Sequence, residues 1–134
     1  MADTFTFELV SPEKLLFSKP VAMVTVPGGE GEYGVLSGHA PMITTITPGV
    51  IQIYEEENAG PVERIFVAGG FAEVSQTRFT VLAGEAVPVS DLNRAALQEQ
   101  AKAIAGKIDS ANEHDLAALK TQQDVIAAKI QAAA

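Results

Sequence analysis

The sequence predicts an α+β chain whose two kinds of structure are segregated: an N-terminal antiparallel β-sandwich or barrel over residues 1–87, then an antiparallel two-helix hairpin over residues 88–134. Three observations predict it. Apolar residues between positions 4 and 87 recur with period two, the signature of half-buried strands. After Pro88 the apolar spacing shifts to three and four. Gly and Pro, frequent in the first part, nearly vanish in the second, where Ala dominates.

Taken in order, Phe5, Phe7 and Leu9 alternate with Thr4, Thr6 and Glu8. Ala22, Val24 and Val26 alternate with Val21, Met23 and Thr25, giving a strand apolar on both faces. Residues 29–49 hold five glycines and two prolines and read as loop, short strand, loop. Within them Val35, Leu36, Met42 and Ile43 can reach a core, whereas Glu30, Glu32 and Tyr33 are left at a tip. Residues 50–54 run into an acidic loop containing Gly60 and Pro61, and residues 62–67 return, a hairpin with a solvated tip. Residues 71–75 and 79–82 supply two more strands about a turn at Gln76 and Thr77. Strands this short and closely spaced, with no helix between them, indicate antiparallel pairing.

In the second part Leu97, Ala101, Ile104 and Ile108 form one seam, and Leu116, Leu119, Gln123, Ile126 and Ile130 form another, each at a and d spacing. Ser90 or Asp91 is expected to cap the first helix, and residues 109–112 to end it and cap the second. So short a link makes the helices antiparallel. Gly106 costs the first helix about 1 kcal/mol against Ala. Residues 86–89 are the expected hinge between the two parts.

Charge narrows the partners. The formal net charge is −8, with four basic and eleven acidic side chains in residues 1–87 and five and six in residues 88–134. A chain this acidic is unsuited to nucleic acid or to an anionic lipid surface, so its partners are expected to be proteins. There is no cysteine, hence no disulfide framework and no thiolate chemistry. The N-terminal residues lack the basic and apolar regions of an export signal, and no stretch approaches the ~18 apolar residues of a membrane span. A reducing cytoplasm and no direct membrane insertion are the expectation.

Catalytic readings find little support. His39 has no cysteine to act on, and no spacing of Ser, Asp and His suggests a triad, so it reads as a structural, hydrogen-bonded residue. His39 and His114 lie in separate parts, which leaves a two-histidine metal site without a basis. The glycine pairs at 28–29 and 69–70 lack the Lys-Ser/Thr and following helix of a phosphate loop and read as turns. Consecutive carboxylates Glu55, Glu56 and Glu57 point in alternate directions and read as a solvated tip rather than a cation site. No catalytic and no metal-binding residue is assigned.

One pattern is specific. Gly31-Glu32-Tyr33-Gly34-Val35-Leu36-Ser37-Gly38-His39-Ala40-Pro41, followed by Thr47-Pro48-Gly49, resembles the epsilon subunit of the bacterial F-type proton-translocating ATP synthase, counterpart of the mitochondrial delta subunit. The likeness extends to residues 7–18, to residues 66–74 and to the alanine-rich tail, so it covers essentially the whole chain. It implies a non-catalytic central-stalk subunit on the cytoplasmic face of the bacterial inner membrane, peripheral, gripping the gamma subunit and resting on the c-ring. By the same likeness Glu30, Glu32 and Tyr33 face the c-ring, and the C-terminal helices reach the alpha/beta head. Asp91-Leu92-Asn93-Arg94-Ala95 is similar to the segment with which some epsilon subunits bind ATP, Arg94 meeting the phosphates and Asp91 holding Arg94. Ser90 stands where that pattern has an apolar residue and the second helix has no arginine, so a plain helix start is favoured and no cofactor is assigned. Lys120 and Lys129 against Glu113, Asp115 and Asp124 leave the second helix little positive charge, implying at most modest inhibition of ATP hydrolysis. The alternatives are a nucleotide-sensing regulator through Asp91 and Arg94, a free β-sandwich binding module, or a small hydrolase using His39.

Overall fold

A computed structural model describes residues 4–12, 15–28, 31–36, 38, 40–56 and 59–133. The chain divides into two compact units, Met1–Pro88 and Val89–Ala134. Eight strands build the first: β1 (Phe5–Val10), β2 (Leu15–Val21), β3 (Met23–Gly28), β4 (Gly31–Leu36), β5 (Met42–Thr45), β6 (Gly49–Tyr54), β7 (Glu63–Val74) and β8 (Arg78–Pro88). They pair in the order β2-β1-β8-β7-β6-β3-β4, with β5 also on β7.

The period-two pattern dictates which face of each strand turns inward. Phe5, Phe7 and Leu9 of β1 are buried, as are Val24 and Val26 of β3, Ile51 and Ile53 of β6, and Phe79, Val81 and Ala83 of β8. At the centre the rings of Phe17 and Phe79 lie 5.7 and 5.6 Å from that of Phe7, tilted against it. Phe7 and Phe79, both fully buried, each contribute about 1.5–3 kcal/mol of transfer free energy, and Phe17, partly buried, less.

Three expectations are corrected. Residues 63–74 are one strand, not two: Gly69 and Gly70, expected to form a turn, lie inside β7 with φ of 73° and 102°. They bend the strand, so that one edge of β7 pairs with β6 from Glu63 to Val67 and then with β5 from Phe71 to Val74. The sheet folds over at that elbow into a sandwich. Residues 15–21 form an unforeseen strand, β2, whose Pro20 is tolerated because β2 is an edge that pairs with β1 alone; Val21 belongs to it, and the strand expected from 21 begins at Met23. Finally, β1 runs parallel to β8, Thr6 beside Arg78 and Val10 beside Leu82, while among the described residues the other strand pairs are antiparallel.

The expected hinge at 86–89 is corrected too. Ala86, Val87 and Pro88 belong to β8, opposite Val67, Phe66 and Ile65. The chain leaves the sandwich only at Val89, in a single 3-10 turn, Val89–Asp91.

Two helices build the second unit, α1 (Arg94–Ser110) and α2 (Glu113–Ala132), packed against each other. Their caps are both asparagines. Asn93 Oδ1 accepts from the Ala96 N–H at 3.1 Å, and Asn112 Oδ1 from the Asp115 N–H at 3.0 Å. Asn93 thus replaces Ser90 or Asp91 as the first cap, because those two residues are taken up by the 3-10 turn. Leu97, Ile104 and Ile126 of the seams are buried, whereas Gln123 is exposed. Gly106 is exposed on α1, and a methyl group there would meet no atom within 4 Å. Gly106→Ala is therefore expected to stabilise the helical unit by about 0.5–1 kcal/mol, read as a later loss of helical circular dichroism on heating.

Candidate partner-binding surfaces

The outward positions of the strands build the first candidate site. Thr45 of β5 lies opposite Phe71 of β7, Phe71 opposite Leu82 of β8, Leu82 beside Val10 of β1, and Val10 opposite Leu15 of β2. Cross-strand neighbours project from the same side, so these residues form a continuous row across five strands, about 19 Å at the usual strand spacing. Phe71 is 48% exposed, Leu82 37% and Leu15 55%, and Ile43, in the adjacent row, is 71% exposed. The adjacent row is polar past Ile43: Glu73, Thr80 and Glu8, the last paired with Arg78 at 3.2 Å. On its other side Gly69 and Gly84 are exposed and add no bulk. A largely apolar row bordered on one side by polar residues is the anatomy of a protein-binding face.

The β3–β4 hairpin builds the second. It closes between Gly28 and Gly31, with Glu32 opposite Pro27 and exposed. Glu30 lies outside the described residues, as does His39, the expected structural histidine. Tyr33 does not stand at the tip as expected. It is opposite Val26, half-buried against the core, with its phenol hydrogen-bonded to Thr44 Oγ1 of β5.

Asp91 ends the 3-10 turn and Arg94 opens α1; both are exposed and no ion pair joins them. The helical spacing that favours an i,i+3 pair is not in place, since α1 begins only at Arg94. His114 is exposed in the first turn of α2. Glu55 pairs with Lys19, Glu56 is exposed, and Glu57 lies outside the described residues. Among the described residues no three His, Cys, Asp or Glu side chains are grouped to hold a metal ion, and no helix is long and apolar enough to cross a membrane.

Comparison with known proteins gives one answer. Residues 4–89 match the family described as ATP synthase, Delta/Epsilon chain, beta-sandwich domain. The ATP synthase epsilon chain of Rhodospirillum centenum is 55% identical over 114 residues, 83% of this chain and 78% of that one. Among solved structures, a chain of the Euglena gracilis mitochondrial ATP synthase (OSCP, F1 and c-ring) superposes with a TM-score of 0.81 at 24% identity, covering 93% of this chain and 78% of that one. A chain of the Tetrahymena thermophila mitochondrial ATP synthase, from its central stalk and c-ring, gives 0.65 at 11% identity, covering 99% and 98%. Identities this low establish a shared fold.

Proposed function

This chain belongs to the ATP synthase delta/epsilon chain family, and we propose that it is the epsilon-type central-stalk subunit of a bacterial proton-translocating ATP synthase, without catalysis of its own. The observation that carries the reading is the apolar row of Thr45, Phe71, Leu82, Val10 and Leu15 with Ile43 beside it. That row is the surface by which the sandwich grips gamma. The β3–β4 hairpin, with Glu32 exposed near its end, rests on the polar loops of the c-ring. Between the two surfaces lies a sheet whose inward side chains are packed, so rotation of the ring is carried to gamma without being absorbed by deformation. The subunit is held peripherally at the cytoplasmic face of the inner membrane by these partners. The helical unit reaches the alpha/beta head and inhibits ATP hydrolysis modestly, because α2 offers only Lys120 and Lys129 as cations. Nucleotide sensing through Asp91 and Arg94 is the secondary reading; the absence of an ion pair between them weighs against it.

The test is reconstitution of the synthase with the full chain and with a chain ending at Ser90. The shorter chain keeps β8 whole, since that strand ends at Pro88. It is expected to capture gamma as the full chain does, to support proton-driven ATP synthesis, and to change ATP hydrolysis by less than about tenfold, or ~1.4 kcal/mol of differential binding. Loss of gamma capture on truncation would refute the placement of the grip on the sandwich. Failure of either chain to restore coupling would refute the stalk role.

A further inference from the structure

We infer that Tyr33 is a positioning residue, whose bond to Thr44 fixes the direction of the β3–β4 hairpin relative to β5, the strand that lends Ile43 and Thr45 to the apolar face. The functional part of this inference rests on the stalk reading above. The hairpin needs such a tie. Among the described residues strand β4 ends the sheet order and pairs with β3, and β3 pairs with β6 only from Met23 to Thr25, so the hairpin beyond Thr25 is a two-stranded ribbon, which by itself is marginally stable.

Alternation turns Tyr33 inward with Val35, and its ring lies over the backbone of Gly28, where an added Cβ would stand 2.7 Å from Tyr33 Cε1. From there the hydroxyl reaches across to Thr44 Oγ1. The tie is reinforced just beyond β5. Gly28 bridges Ile46, the Thr47 N–H donates to the Pro27 carbonyl at 3.0 Å, and Thr47 Oγ1 donates to the Gly28 carbonyl at 3.3 Å. The Ile46 N–H donates in turn to the Gly70 carbonyl at 3.0 Å, at the elbow of β7. Residues 44–47 therefore clamp the closed end of the hairpin on one side and the elbow on the other. The Thr47 and Ile46 contacts fall on β3, and the Tyr33 hydroxyl is the side-chain link by which β4 is tied to the same segment.

Hydrogen exchange of the full-length chain tests the tie. Tyr33→Phe and Thr44→Val each remove one partner and keep the shape. Each is expected to speed exchange of the amides of residues 31–34 by about three- to tenfold, the effect of one part-buried hydrogen bond, with amides between β1 and β8 unchanged. The double variant should exchange no faster than either single one, and Thr44→Ser, which keeps the hydroxyl, should behave as the parent. Unchanged exchange in either single variant, or additive effects in the double, would overturn the tie. In the assembled synthase, Glu32→Cys should cross-link to one position on the c-ring, and to several at lower yield when combined with Tyr33→Phe. An unaltered cross-linking pattern beside altered exchange would overturn the positioning role. No cross-link to the ring in either background would overturn the stalk placement of the hairpin and leave the tie standing.

Discussion

Replacing Gly70 by alanine is expected to lower the stability of the sandwich by about 2–6 kcal/mol, a large part of the roughly 5–15 kcal/mol typical of a whole domain. Two costs add. At φ 102° an L side chain is strained, which costs about 1–3 kcal/mol. The new Cβ would also overlap the Leu82 carbonyl oxygen and stand 2.9 Å from its carbon and 3.1 Å from Ala83 Cα. These are backbone atoms of a paired strand and cannot swing aside, so overpacking adds about 1–3 kcal/mol more. In thermal unfolding the midpoint should fall by about 10 °C or more. Gly69→Ala is the matched control, because its φ of 73° is also positive yet no atom lies within 4 Å of an added methyl. It should cost only about 1 kcal/mol. Equal losses for the two variants would show that backbone strain alone, and not the approach of β8, makes the elbow depend on glycine.

A carboxylate in the middle of the apolar row should release gamma while leaving the sandwich folded. Phe71 is the residue to change, since it lies between Thr45 and Leu82 and its ring is half outside the fold already. On docking, an introduced carboxylate would have to shed its tightly held water, whereas the phenylalanine ring gains by losing water. A central aromatic anchor is worth about 2–4 kcal/mol in such interfaces. Phe71→Glu is thus expected to weaken capture of gamma by about 30- to 1,000-fold. Unfolding by denaturant should change by about 1 kcal/mol or less, the usual range for a surface position. Glu32→Ala, on the hairpin, should leave capture of gamma within about twofold. Capture by the Phe71→Glu chain at the parent level would place the grip on some other face.

Much of this architecture is legible in the sequence, and the parts that are not share physical causes. The change of apolar period at Pro88 separates strands from helices because it reflects how side chains leave each kind of backbone. The same periodicity carries no direction, so nothing in residues 5–10 says that β1 lies parallel to β8. Gly69-Gly70 reads as a turn because glycine permits both a reversal and a bend, and only the partners of residues 63–74 distinguish them. Ser90, Asp91 and Asn93 are all good caps, so local chemistry does not choose the cap from among them. Tyr33 is expected at the tip because its neighbours are polar and glycine-rich; strict alternation with Val35 turns it inward. The apolar row escapes a sequence reading for a different reason. Leu15, Ile43, Phe71 and Leu82 are remote in sequence and become neighbours only through the strand order. A signal is nonetheless present: Phe71 beside Ala72, and Leu82 between Val81 and Ala83, put apolar residues at outward positions where a one-sided strand would have polar ones.

The parallel seam between β1 and β8 also governs when this protein can fold as it is made. On a chain emerging from a ribosome, β1 can find β2 at once, but its other edge must wait for Arg78 to Leu82. Pairings that close so long a stretch of chain are slow, about milliseconds to seconds in all-β domains. Until β8 arrives, the inward side chains of β1 lack the strand that completes their layer, and Phe7 lacks the ring of Phe79. The newly made subunit therefore passes through an interval in which unpaired strand edges and apolar side chains are open to aggregation. That interval ends only once Pro88 is clear, and the helical unit, synthesised after it, follows a sandwich that is just becoming able to close.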